Sequence, residues 1–396
     1  MQEVNSKPEH WIAEALAKRR AADLERSVQI QAGMGGKFIA DERTWLNFAS
    51  NDYLDLARHP RLKTAAADAV NRYGTGATAS RLIVGTLPAH DRLEQCIARH
   101  KGYPAAIVFG SGYMTNAGVV PALIGRNDHA FADRLIHASI IDAVRLSGAK
   151  LHRFAHNDPA SLERGLRRAR GGRRLILTES VFSMDGDLAP LPAIAELAEQ
   201  YEALLMVDEA HASGVFGPCG GGLVRAANLQ GKVTICMGTL SKALGGYGGY
   251  AACSAPMRQW LVNVARSFIY TTAPPPSVMA AALEAFSILD GDPTLGETLL
   301  ARADRFRQCL QDAGLNTLNS ASQIIPVLVR DNARAVRLAA RLKERDGILV
   351  GALRPPTVPA GTARLRLALT LAHSDEDMDR ALDALVTACR EEGLLS

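Results

Sequence analysis

The octapeptide Thr239-Leu240-Ser241-Lys242-Ala243-Leu244-Gly245-Gly246 places a lysine just past an apolar run containing Val233, Ile235 and Met237. Most lysines are solvated surface residues. At the end of a core strand the ammonium is desolvated, its pKa falls, and the amine can form a Schiff base with a carbonyl. Leu204-Leu205-Met206-Val207-Asp208-Glu209-Ala210-His211 makes a second cluster. There a continuously apolar run delivers Asp208, with His211 three residues later. A buried carboxylate needs a partner, and a protonated ring nitrogen would suit it.

Phe109-Gly110-Ser111-Gly112-Tyr113-Met114-Thr115-Asn116 follows another apolar run and opens an apolar helical stretch. Glycines at such a turn let backbone N–H groups approach an anion, and the helix dipole favours its charge. A phosphate is the natural ligand. A dinucleotide fingerprint would need glycine at position 115, where Thr115 stands, although Asp133 lies at a plausible spacing for a ribose contact. Two further clusters also follow apolar runs: Asp133-Arg134-Leu135-Ile136-His137-Ala138-Ser139, and Glu179 to Asp187 with Ser183 inside it. Each has an ordinary reading as well. His137 could be a structural histidine, Ser183 and its acids could be caps or turn residues, and Gly-Ser-Gly could be a plain turn.

These clusters need elements to hold them. Short apolar runs at Ala105–Phe109, His129–Ala132, Lys150–Phe154, Leu175–Thr178, Leu204–Val207, Thr234–Met237 and Tyr250–Cys253 alternate with amphipathic segments. Strands that are apolar on both faces, interleaved with helices, predict a mainly parallel sheet between helical layers. Ligands of such sheets bind beyond the carboxyl ends of the strands, where these clusters fall. Residues 10–31 are expected to form an amphipathic helix ended by Gly33-Met34-Gly35-Gly36. After Gly291-Asp292-Pro293 a smaller α+β region is expected. It has helices at 296–313 and 333–345, strands at Ile324–Val329, Ile348–Val350 and 364–369, and a last helix. The expected organisation is an N-terminal helix and arm over 1–50, a large domain over 51–290 and a small domain over 291–396.

Composition bounds the rest. The 396 residues are 47% hydrophobic and 22% charged with a net charge of +4, a globular balance without a basic block for nucleic acid. The six cysteines form no CxxC pair and no His/Cys cluster, so neither disulfides nor a metal site is expected. Without an apolar leader or a membrane-length run, a cytoplasmic protein is expected.

A phosphate cradle, a carboxylate for a ring nitrogen and an aldehyde-capturing lysine together match one cofactor, pyridoxal 5'-phosphate (PLP). Over essentially its whole length the chain also resembles the α-oxoamine synthases, fold-type I PLP enzymes. The likeness rests on Ser50-Asn51-Asp52-Tyr53-Leu54, Gly110-Ser111-Gly112-Tyr113, the Asp133–Ser139 stretch, Phe182-Ser183-Met184-Asp185-Gly186-Asp187, Val207–His211 and Thr239–Lys242. Phe154-Ala155-His156-Asn157-Asp158 and the Arg354–Arg366 stretch point to members that join L-alanine to pimeloyl-CoA.

The resemblance implies that Lys242 holds the cofactor and then takes the α-proton of the amino acid. It implies that Asp208 pairs with the pyridine nitrogen, His211 reaches the phenolic oxygen and His137 stacks on the ring. Gly112, Tyr113, Thr239 and Ser183 would hold phosphate and ring substituents. Arg366 would bind the alanine carboxylate, and Arg26 and Thr357 the acyl substrate, carried by CoA or an acyl carrier protein. A homodimer with shared active sites is implied, Thr272 reaching the neighbouring subunit's phosphate. Other family members, such as 2-amino-3-ketobutyrate CoA ligase, share nearly all these residues. From other classes, a nucleotide-dependent oxidoreductase and a non-catalytic subunit are the alternatives.

Overall fold

A computed structural model describes residues 9–395 apart from 23, 27, 29 and 32. The seven apolar runs all become strands of one sheet: β3 (Ala105–Phe109), β4 (His129–Asp133), β5 (Lys150–Phe154), β6 (Arg174–Glu179), β7 (Leu204–Asp208), β8 (Ile235–Thr239) and β9 (Gly249–Cys253). They follow strands β1 (Lys37–Ala40) and β2 (Arg43–Asn47) in the chain. The spatial order is β3-β9-β8-β7-β6-β4-β5. All neighbours are parallel except β9, which runs antiparallel to both β3 and β8. Successive strand residues point to opposite faces. Ala106 and Val108 therefore enter one buried core and Ile107 and Phe109 the other. That two-sided burial is why the strands read as unbroken apolar runs.

The third region has β10 (Ile324–Arg330), β11 (Ile348–Leu349), β12 (Gly351–Leu353) and β13 (Ala363–Ala368), with helices Leu295–Asp312, Asn332–Arg341 and Asp375–Glu391. Strands β10, β13 and β12 pair antiparallel in that order. This is the α+β region expected from the sequence. Its alternating β13 delivers Arg364 and Arg366 toward the large sheet.

The N-terminal segment departs from expectation. The helix covers only His10–Ala21 instead of 10–31. Beyond it Val28 and Ile30 are fully exposed, so no packing face repays the cost of ordering another turn. Residues 37–47 form the β1–β2 hairpin, and β2 pairs in parallel with β11. The arm is thus tied to the C-terminal region: Ala368 donates its N–H to Phe48 and Leu371 to Tyr53. Among the described residues no helix is long and apolar enough to cross a membrane. All six cysteines are free.

Candidate active site

The parallel strands deliver their polar residues to one edge of the sheet. Asp208 ends β7, Glu179 ends β6, Asp133 ends β4, and Lys242 follows three residues after β8. Lys242 Nζ lies 2.8 Å from His211 Nε2, and His211 Nδ1 lies 2.6 Å from the Tyr53 hydroxyl. Gln323 Nε2 donates to the His211 carbonyl and fixes that turn against the third region. Burial pushes the Lys242 ammonium down to about 8, against the opposing pull of Asp208 and Glu179. His211 is held well below its ordinary pKa by burial and by the charges of Lys242 and Arg366. A neutral imidazole therefore faces an amine that releases its proton near pH 8, well below the ordinary lysine range.

Asp208 is buried and has no ion pair among the described residues. Its Oδ1 accepts from Ala210 N at 2.9 Å and its Oδ2 from Asn116 Nδ2 at 3.4 Å. Asn116 also donates to Ser139 Oγ at 2.8 Å, and that hydroxyl lies 2.7 Å from His137 Nδ1. The carboxylate is thus linked to His137 through two side chains. Burial pushes the His137 imidazole down, while the Asp208 charge opposes the shift.

Glu179 is the principal residue left without a role by the sequence. It accepts from His137 N at 2.6 Å and from Ser183 N at 3.2 Å, so one carboxylate spans both loops. Burial first, and then the Asp208 charge, push its pKa up to about 8.

At the other side of the site, the helix Gly112–Leu123 begins with Ser111 as its cap. Ser111 Oγ accepts from Met114 N, and Ser111 O from Thr115 N. The N–H groups of Gly112 and Tyr113 have no protein acceptor among the described residues. A Cβ on Gly112 would sit 3.8 Å from Thr239 Oγ1, so the glycine turn and Thr239 form one corner. The Tyr113 ring is half exposed and its hydroxyl donates to Asp142.

Arg26, His137, Ser183 and Thr357 line one cavity of about 600 Å³, together with Arg134, Arg145, Arg153 and Arg364. Arg26 Nη2 donates to Thr357 Oγ1 at 3.3 Å. Arg364 pairs with Asp185. Arg366 is buried; its Nε donates to Ser183 O at 2.7 Å and its Nη2 to Asn51 Oδ1 at 3.1 Å. Thr272 stands apart. It is exposed, bridges Ser80, and makes no hydrogen bond to the Lys242 cluster among the described residues.

The residues present fit PLP. Two unpartnered N–H groups at a helix start suit a phosphate, an unneutralised buried carboxylate suits a protonated ring nitrogen, and a depressed lysine suits the aldehyde. The nucleotide alternative loses its ribose contact. Asp133 is fully buried and already accepts from Leu135 N, Asn157 N and the His156 ring.

Comparison with known proteins agrees with this geometry. A family profile described as aminotransferase class I and II matches residues 43–385. The 8-amino-7-oxononanoate synthase of Geobacter sulfurreducens is 48% identical, over 97% of this chain and 99% of its own length. That of Geotalea daltonii is 46% identical, over 96% and 98%. Among solved structures, Sphingomonas wittichii serine palmitoyltransferase has a TM-score of 0.90 at 32% identity, with both chains fully covered. A serine palmitoyltransferase from S. paucimobilis with a bound PLP–myriocin aldimine has a TM-score of 0.91 at 29% identity, again over all of both chains. The 8-amino-7-oxononanoate synthase of Francisella tularensis has a TM-score of 0.77 at 30% identity, covering 88% of this chain and 99% of its own. The chain belongs to the aminotransferase class I and II family and, within it, to the PLP-dependent α-oxoamine synthases.

Proposed function

We propose that this enzyme condenses L-alanine with pimeloyl-CoA, or with the same acyl group on a carrier protein. The products are 8-amino-7-oxononanoate, CO2 and the free thiol, a step of biotin biosynthesis. The observation that carries this reading is the near full-length similarity to 8-amino-7-oxononanoate synthases, joined to a lysine–histidine–aspartate site at the strand ends. PLP supplies an electron sink for the carbanions that the condensation and decarboxylation require.

The protein's own residues divide the remaining work. Lys242 would anchor the cofactor and then, as an amine whose pKa burial lowers to about 8, take the α-proton of alanine. Asp208 keeps the pyridine nitrogen protonated, and Asn116 orients that carboxylate. His211, neutral and backed by Tyr53, would reach the phenolic oxygen, and His137 would lie against the ring. Gly112 and Tyr113 amides, with Thr239 and Ser183, hold phosphate and ring substituents. Arg366 binds the alanine carboxylate as a planar fork that lysine could not replace.

The acyl donor enters through the arginine-lined cavity, with Arg26 and Thr357 against the acyl chain. Five arginines against Asp142 and Asp185 in that lining favour a polyanionic donor such as a CoA or phosphopantetheine thioester. A homodimer with shared sites belongs to the same reading. Ile83 and Val84 are largely exposed beside the Ser80–Thr272 bridge, and a second subunit would cover them while bringing Thr272 to its phosphate.

The test is product analysis. Purified enzyme with PLP is given alanine or glycine against pimeloyl, acetyl and succinyl thioesters, while free thiol and product mass are followed. Alanine with the pimeloyl donor should give the highest kcat/KM. Preference for glycine with acetyl-CoA would instead support the 2-amino-3-ketobutyrate CoA ligase reading.

A further inference from the structure

The stretch Phe154-Ala155-His156-Asn157-Asp158 has no part in the roles above, yet its histidine joins the two loops that flank the site. His156 Nδ1 lies 2.9 Å from Asp133 Oδ1, and Nε2 lies 2.7 Å from Asp187 Oδ2. Both ring nitrogens face carboxylates, which have no proton to give when ionised, so the ring satisfies both contacts only as an imidazolium. Burial alone would lower its pKa, but the two carboxylates outweigh that and raise it to about 10. The ring edge also packs on Phe182, with centroids 4.4 Å apart.

The two carboxylates belong to different segments. Asp133 ends β4 and starts the turn to His137, its Oδ1 also accepting from Leu135 N at 2.8 Å. Asp187 closes the loop that carries Ser183: its carbonyl accepts from Phe182 N, and its Oδ2 accepts from Asn157 Nδ2 at 2.8 Å. Asn157, next in the chain, has a φ of 51°, a left-handed conformation that asparagine tolerates better than most residues, and donates its backbone N–H to Asp133 Oδ2. His156 and Asn157 thus bind both segments from outside, while Glu179 binds His137 N and Ser183 N from within.

We infer that His156 is a positioning residue for the cofactor site, a doubly donating clasp that sets the separation of the His137 turn from the Ser183 loop. The inference rests on PLP occupying the space between those loops. Removing the imidazolium leaves Asp133 and Asp187 joined from outside through Asn157 alone, without the charged donor between them, and lets the Ser183 loop drift from His137. Such drift weakens cofactor binding before it unfolds the chain.

The test compares the full-length wild type with His156→Gln and Asp187→Asn. Each apoprotein is titrated with PLP by absorbance and by induced circular dichroism, and its melting temperature is measured without cofactor. The PLP dissociation constant should rise about tenfold in both variants, with a smaller dichroic signal per bound PLP and an apoprotein melting temperature close to wild type. The ring signals of 15N-histidine-labelled wild type should include one doubly protonated imidazole at pH 8.5, lost in His156→Gln.

Unchanged PLP affinity in a folded His156→Gln protein would overturn the inference, as would a lowered melting temperature with unchanged affinity and dichroism. The absence of any doubly protonated ring at pH 8.5 would also overturn it, and that readout does not depend on the variants folding. Failure of the wild type itself to bind PLP would overturn the cofactor reading together with the inference.

Discussion

Lys242 Nζ and His211 Nε2 lie 2.8 Å apart, and the two side chains titrate in ways that make this contact chemically useful. His211 is held neutral by burial, and the lysine is pushed down to about 8. The sign follows directly: below about pH 8 the folded-state lysine carries a proton and cannot attack an aldehyde. Capture of PLP by the apoprotein should therefore speed up as pH rises through about 8 and level off above it. In the same window, between the folded value and the ordinary 10.5, the unfolded chain binds more protons. The stability contribution of this group in the apoprotein thus rises with pH. Stopped-flow absorbance from pH 6.5 to 9.5 reads the capture rate. A flat profile would contradict the assignment of Lys242.

Asp208 has no cationic partner of its own among the described residues, so its charge is assigned to the cofactor nitrogen. Asp208→Asn keeps the shape and removes the charge. Truncating one partner of a buried hydrogen-bonded charge pair costs about 2–5 kcal/mol. Turnover should fall by a corresponding factor of at least about 30, while the apoprotein stays folded by circular dichroism.

How much of this was legible in the sequence depends on where the partners lie. The seven strands could be read because burial on both faces made each one a plain apolar run. Asp208, Lys242 and the Gly112 turn could be read because each stands at the end of such a run. The β1–β2 hairpin could not. Its turn places Asp41 and Glu42 at positive φ without the usual Asn-Gly signal, and Ile39 on β1 is exposed. Glu179 was visible as an acid after a strand, but its bond to His137 N crosses 42 residues of sequence. His156 drew notice only as a family marker, since its two carboxylates lie 23 and 31 residues away.

The arginine lining of the cavity makes a prediction that separates the two substrates. Arg145 is mostly exposed and Arg153 lies on the same rim. Replacing both with glutamate should raise KM for the CoA thioester about tenfold and leave KM for alanine within about twofold. Steering by exposed charges is screened by salt, so the difference should shrink at about 0.5 M salt. Steady-state kinetics at two ionic strengths checks both points.

Behind Asp208, the next residue of the chain turns into the core. Glu209 and Lys101 are both fully buried, with Oε2 and Nζ 2.5 Å apart. Glu209 also accepts from Val224 N and from the Cys236 thiol. Lys101→Met removes one partner and leaves an uncompensated buried charge, a change that costs about 3–5 kcal/mol. Urea unfolding of the holoenzyme should show that loss.

The central claim is that Lys242 carries the cofactor, and borohydride reduction tests it most directly. Purified holoenzyme should be yellow, bleach on reduction, and yield after digestion one peptide bearing the reduced pyridoxal phosphate mass on Lys242. Lys242→Ala should give no such peptide and lose at least about 1,000-fold in turnover. A reduced adduct on another lysine, or a Lys242→Ala protein with wild-type turnover, would contradict the account.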